Sequence, residues 1–185
     1  MSGTFDLGKL EQSVDKGSDI PPLEQWNPAF CGDIDLRIAR DGQWYYQGSP
    51  IGRETMVRLF SRVLWKEGDR YFLKTPAEKV GIQVEDVPFQ VVKVEHEIGV
   101  QGPEMIFTTS VGDRVRADAE HPIRVETDPV TKEPRPYLMI RFGIEGRIGR
   151  NLFYQLVEFA RMVTHPHQTE LVVDSAGETF SLGTL

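Results

Sequence analysis

Cysteine is nearly absent. Cys31 stands alone in 185 residues, which excludes an intramolecular disulfide and any multi-cysteine metal site. No apolar run is long enough to span a bilayer. The opening MSGTFDLGKLEQ lacks the basic start and apolar core of a signal peptide. These absences point to a soluble chain in a reducing, cytoplasmic compartment, with no membrane partner. Basic charge is also short, with 21 Lys and Arg against 28 Asp and Glu and a net charge of −7. Non-specific nucleic-acid binding draws most of its affinity from a basic face, so no nucleic-acid partner is expected. A small anion held by a few local arginines is compatible with that balance. The familiar catalytic signatures are missing too. There is no GxxxxGK[ST] phosphate loop, no GxGxxG after a strand, no GxSxG elbow and no HExxH. The expectation is a non-catalytic protein with no metal and no cofactor.

What is present is enough for a core, since 39% of residues are hydrophobic and 10% aromatic. Residues 1–30 read as a leader. It carries one short helix around Leu7–Val14, extended backbone at Pro21-Pro22, and Trp26 and Phe30 as aromatic anchors. A first domain, residues 31–99, opens with alternation of Ile34, Leu36 and Ile38 against Asp33, Asp35 and Arg37, the pattern of a half-buried strand. That alternation also makes Asp33 and Asp35 a solvated face rather than an acid pair. Asp41-Gly42 is a hairpin turn, and Trp44-Tyr45-Tyr46 returns. Ser49 and Pro50 suit a helix start, followed by a stripe of Met56, Val57, Phe60, Val63 and Leu64, with Gly68 as the stop. Strands are expected at Tyr71–Lys74, Val80–Val84 and Phe89–Ile98. The last places Val92, Val94 and Ile98 on one face, together with His96 as a core or rim residue.

Gly99–Pro103 reads as the domain boundary, leaving residues 100–185 as a second domain. Met105–Ser110, a turn at Gly112-Asp113, Val115, Ile123-Val125 and Tyr137–Phe142 carry strand signals. Asp128–Pro136 reads as an exposed loop. Leu152, Leu156, Phe159, Ala160 and Val163 predict a second amphipathic helix ended by Pro166. Leu171–Val173 and Thr179–Leu182 form a terminal hairpin turning at Ala176-Gly177. The fold class is therefore α+β, with two similar halves of mostly antiparallel strands and one amphipathic helix each. The segments IGRETMVRLF from Ile51 and IGRNLFYQLV from Ile148 begin the two helices alike, which suggests internal duplication.

The arginines around those helix starts are the main chemical signal. Arg53 lies in the first turn of the first helix, and Arg147 and Arg150 flank the start of the second. A cation there opposes the helix dipole by about 0.3–1 kcal/mol where exposed, unless an anion sits nearby. Free N–H groups, close backbone approach at Gly52 and Gly149, and the planar arginine fork all suit phosphate or carboxylate. Arg141 and His121 are weaker additions. Tyr45 or Trp44 offers a ring to stack on a base, with core packing the plainer role for Trp44. The competing reading is structural, with ion pairs to acids such as Glu54, Glu78, Asp86 and Glu145. His165-Pro166-His167 with Glu170 is the densest cluster of metal-ligand types. It lacks a third placed ligand, and histidines closing a helix are the plainer reading.

The run WNPAFCGDIDLRIARDGQWYYQGSPIGR, with LFSRVL, YFLKTPAEK and VEDVPF, closely resembles a proteobacterial family known as a domain of unknown function. HPIRV and PYLMIRFGIEGRIGR extend the resemblance, which covers about residues 20–185. It implies a bacterial protein with a duplicated core, a C-terminal half like a pleckstrin-homology fold, and a cleft between halves for a nucleotide-like ligand in signal transduction. A pleckstrin-homology resemblance does not by itself imply lipid binding. The functional expectation is a regulatory module that holds an anionic small molecule, such as a nucleotide, between the halves. Its ligand-binding residues would be Gly52, Arg53, His121, Arg141, Arg147, Gly149 and Arg150. Two alternatives stand beside it. One is an adaptor for a signalling protein without a small ligand, and the other is a hydrolase with Glu78 or Asp86 as general base.

Overall fold

The computed structural model describes residues 7–13 and 19–185, which fall into two compact units, Met1–Pro88 and Phe89–Leu185. The first unit begins with helix α1 (Leu7–Ser13) and a single 3-10 turn at Leu23–Gln25. Val14 of the expected helix lies outside the described residues. Leu10 and Leu23 are fully buried, while Phe30 is 49% exposed. The leader is therefore pinned chiefly by its leucines, because an aliphatic side chain on a short helix can be covered completely.

Strands β1 (Phe30–Ile38), β2 (Trp44–Tyr46) and β3 (Ser49–Pro50) form a meander, turning first at Asp41-Gly42. Helix α2 (Glu54–Ser61) follows, and then a second meander of β4 (Leu64–Glu67), β5 (Arg70–Lys74) and β6 (Lys79–Val84). The sheet order is β3-β2-β1-β6-β5-β4, with the central β1–β6 pair parallel and the other pairs antiparallel. The helix is shorter than the apolar stripe implied. Val63 and Leu64 are buried but lie beyond it. Gly68, at φ +57°, turns the β4–β5 hairpin instead of stopping the helix. Trp65 and Phe72 pair across that hairpin, so tertiary pairing overrides a helical period.

The second unit repeats the plan. Strands β7 (Phe89–Gly99), β8 (Gly102–Thr109) and β9 (Arg114–Arg116) make one meander, and β10 (Ile123–Thr127), β11 (Pro134–Arg141) and β12 (Ile144–Ile148) the other. The order β10-β11-β12-β7-β8-β9 is again two meanders joined through a parallel pair, here β12–β7. The two halves are thus alike in strand order. The helices, however, are not equivalent. Helix α3 (Arg150–Glu158) follows the completed sheet, whereas α2 lies between the two meanders of its own. The shared IGR segment therefore marks two different positions in the plan. The topological counterparts are β1 with β7 and β6 with β12.

After α3 come β13 (Arg161–His165), β14 (Gln168–Ser175) and β15 (Glu178–Thr184), an antiparallel three-stranded sheet. Val163 belongs to β13 rather than to the helix, and Pro166 sits in the β13–β14 turn. Ala176 and Gly177 both have positive φ, as a type I′ hairpin turn requires. Ser175 joins the two sheets of this unit. Its Oγ accepts from the Met105 amide at 2.9 Å and donates to the Ala117 carbonyl at 2.6 Å.

Three further expectations are corrected. The division of the chain falls after Pro88, not at Gly99–Pro103, which is the tight turn of the β7–β8 hairpin. Glycine and proline there serve a turn inside a unit. On β7, a bulge between Val91 and Lys93 breaks the alternation. Val91 and Val94 take inward positions and Val92 is left 58% exposed. The expected loop Asp128–Pro136 is also shorter, since Pro134 and Pro136 belong to β11.

Each sixth strand carries a glycine closely approached by neighbouring side chains. A Cβ on Gly81 of β6 would meet Asp33 Oδ1 at 2.0 Å and Arg70 Nη2 at 2.8 Å. On Gly146 of β12 it would meet Val91 Cγ2 at 3.1 Å and Phe89 Cβ at 3.2 Å.

Candidate functional site

Strand β12 passes into α3 through a single residue, Gly149, which is extended and supplies no side-chain cap. The first turn of α3 holds no acidic residue. The N–H groups of that turn therefore lack the local carboxylate that helix starts often carry. Arg147 on β12 is half-buried, opposite Tyr137 of β11. It lines a pocket of about 120 Å³ together with Arg150, Glu133, Pro134, Pro136, Phe153 and Tyr154. Arg150 is ion-paired to Glu133, with both side chains more than half exposed. Such a pair contributes only about 0–1 kcal/mol, so an incoming anion can compete for the guanidinium.

Pro134 and Phe153 also line a larger groove of about 640 Å³ in the same unit. Its apolar surface comes from Ile123 and Val125 of β10, Leu171 of β14 and Leu182 of β15. The strands β10 and β15 are each the edge of their sheet. A bulge places Leu182 between the register pairs Leu171–Gly183 and Val172–Ser181, and Leu182 is 3% exposed. The polar rim includes Arg124, Thr127 and Lys132. Arg124 is held by Glu145 through two hydrogen bonds, at 2.9 and 3.0 Å, and by Glu126. These partners raise its already high pKa, with Glu145 dominant. Lys132 projects from a loop set by Asp128, whose carboxylate accepts from the amides of Thr131 and Val130 and pairs with Arg135. Those amides hold the Asp128 carboxyl below its ordinary range.

The remaining candidates lie apart from this pocket. Gly52 and Arg53 belong to the first unit. Arg53 is the N-cap of α2 and pairs with Glu11 of α1 at 3.1 Å, and Glu54 occupies the first helical turn. Arg53, Arg58 and Arg62 line a groove of about 340 Å³ with Glu11. Arg141, at the end of β11, pairs with Asp113 at 2.9 Å and lies over the Phe89 ring. His121 Nδ1 is 2.8 Å from Asp118 Oδ1. Burial pushes the Asp118 carboxyl up, but the hydrogen bonds from His121 outweigh it and the net displacement is downward. Trp44 is core, 3% exposed, and Tyr45 carries Arg37 over its ring.

The acids beside the predicted arginines include Glu11, Glu133 and Asp113, none of them among those expected from sequence. Glu145 serves Arg124 instead. His165 and His167 stand at a hairpin turn rather than a helix end, with His165 Nε2 3.1 Å from Glu170. Among the described residues no group of three or more His, Cys, Asp and Glu could hold a metal ion. No helix among them is long and apolar enough to cross a membrane.

Sequence reasoning missed Lys132, Tyr154 and the whole groove. The Asp128–Val130–Thr131 turn was the available local signal. The approach of β14 and β15 to β10 had none.

Comparison with known proteins agrees with this architecture. Residues 21–87 match the N-terminal domain described as a domain of unknown function, DUF1285, and residues 88–182 match the C-terminal domain of the same protein family. No curated protein matches the chain. A 2.50 Å crystal structure of a DUF1285 family protein from Silicibacter pomeroyi DSS-3 is 43% identical, with a TM-score of 0.90 over 99% of this chain and 97% of that one. A second DUF1285 crystal structure, from Shewanella baltica OS155, is 28% identical, with a TM-score of 0.53 over 66% of this chain and 90% of that one. Matched across both of its units, the chain belongs to the DUF1285 family.

Proposed function

We propose that this protein is a non-catalytic regulatory module whose C-terminal unit binds an anionic small molecule at the start of α3. The observation that supports this reading is the shared pocket of Arg147 and Arg150, beside a helix start with no acid in its first turn. At about 120 Å³ it suits one phosphate or carboxylate group, since whole ligands usually need about 300–1,000 Å³. The body of the molecule would occupy the adjoining groove. Arg53, Arg141 and His121 are held by acids that are themselves only 21–22% exposed, whereas Glu133 beside Arg150 is 55% exposed; the first three are structural in this proposal.

Thermal unfolding against inorganic phosphate, nucleotides and simple phosphate esters tests it, with an Arg147→Ala/Arg150→Ala variant in parallel. A ligand at 100 times its dissociation constant adds about 2.7 kcal/mol of stability. The expected result is a shift in the wild type that the double variant loses. A flat panel, or equal shifts in both proteins, removes the proposal.

One observation favours the adaptor alternative. The inward face of β7 runs out to Ile98, 76% exposed, past His96, which stacks on Phe159 with ring centroids 4.7 Å apart. A flat ligand panel would bring that apolar edge forward as a protein-docking surface.

A further inference from the structure

The groove beside the arginine pocket points to a particular class of anion, and the inference rests on the binding reading above. We infer that the ligand is an amphiphile, an alkyl or acyl chain ending in a phosphate or carboxylate. Its head would meet Arg147 and Arg150, and its chain would lie between β10 and β15.

Three observations carry this. The groove floor is aliphatic, with Ile123 and Leu182 at 6% and 3% exposure and Leu171 and Val125 half-buried. A nucleobase would need a ring face to stack on, which the polar lining of Arg124, Thr127, Ser181 and Thr184 does not supply. The one aromatic ring lining the groove is Phe153, itself only 7% exposed. Positive charge gathers at the rim and at the adjoining pocket. Lys132 stands on a loop already fixed by Asp128, and Arg147 and Arg150 lie just beyond Pro134 and Phe153. Finally, the volume of about 640 Å³ falls in the range of small-molecule sites.

An extended peptide fits less well, although both flanking strands are edges. The β15 edge is interrupted by the bulge at Leu182 and Gly183, and β10 bears Arg124 and Glu126. These are the devices by which proteins discourage strand addition.

A chain-length series separates this inference from the broader one. Butyl, hexyl and octyl phosphate would be titrated calorimetrically, below their micellar concentrations, beside inorganic phosphate and adenosine monophosphate. Affinity should rise about fourfold per added methylene while the chain remains in the groove. Val125→Asp should flatten that rise and leave inorganic phosphate binding in place. Arg147→Ala/Arg150→Ala should weaken every member of the series. If Val125→Asp fails to fold, Leu171→Ser tests the same wall. Affinity independent of chain length, or binding of the nucleotide but not of octyl phosphate, overturns the amphiphile inference and leaves the anion reading standing. Binding of none of these probes removes both.

Discussion

The two six-stranded sheets follow one plan and differ in what is attached to it. In the first, α2 joins the meanders, between β3 and β4; in the second, β9 reaches β10 through residues 117–122 and the helix comes after β12. The same strand order thus tolerates a helix at either place. The grooves follow the attachments. One groove of the first unit lies along α2 beside α1, and those of the second lie around α3 and β15. The comparison teaches that the repeated sheet is a scaffold, and that its grooves open where a part that is not repeated lies beside it.

Cavity-forming changes give the largest effects and ask whether the units melt together. Phe60→Ala in α2 and Phe107→Ala in β8 each empty a fully buried position and should destabilise by about 3–5 kcal/mol. Calorimetry of both variants should show one early transition from the altered unit. A single transition shifted equally in either variant would instead make the units one cooperative block.

The fifth strands sharpen the contrast, because β5 ends on Lys74 and β11 ends on Arg141. Arg141→Met leaves the partly buried Asp113 without its cation and should lower stability by about 1–3 kcal/mol. The sixth-strand glycines come next. Gly146→Ala presses on Val91 and Phe89 in the core and should destabilise by about 1–3 kcal/mol. Gly81→Ala displaces only the exposed Arg70–Asp33 pair and should stay within about 1 kcal/mol. Equal effects at the two glycines would break the comparison.

Lys74 should give the smallest effect. It is 4% exposed, and its ammonium lies on the Trp65 ring, 3.7 Å from the centroid. Burial lowers its pKa, so the folded state holds this proton less tightly than the unfolded state. Stability from this group is therefore least below its folded pKa and rises with pH toward about 10.4, the ordinary lysine value. Lys74→Met should be neutral or slightly stabilising near neutral pH, with a flatter stability profile on the alkaline side. Chemical denaturation at stepped pH measures both.

Much of the sheet framework was legible in sequence. Alternation in β1, the Asp41-Gly42 turn and the Ala176-Gly177 turn are local signals, and local physics enforces them. Helix ends were not legible. Val63, Leu64 and Val163 satisfy a helical period, yet the pairing of β4 with β5 and of β13 with β14 claims those segments. The second-unit arginines of the candidate site were visible because Arg147 and Arg150 share a short segment with Gly149. Lys132 and the floor at Ile123, Leu171 and Leu182 were not, since three distant strands must meet before a groove exists.

The parallel pair at the centre of each sheet has a consequence for how the chain acquires its structure. Strand β1 ends at Ile38 and its central partner β6 begins at Lys79; β7 ends at Gly99 and β12 begins at Ile144. Each meander can form early from neighbouring residues, but the two cannot be joined until the last strand of the six-stranded sheet has arrived. Long-range closure of this kind slows folding and leaves β1 or β7 with an open edge in the meantime. During synthesis the first unit can close while the second is still being made. A nascent chain halted before Lys79 would therefore present β1 unpaired on that side, and one halted before Ile144 would present β7 likewise. Arrest at either point should promote aggregation.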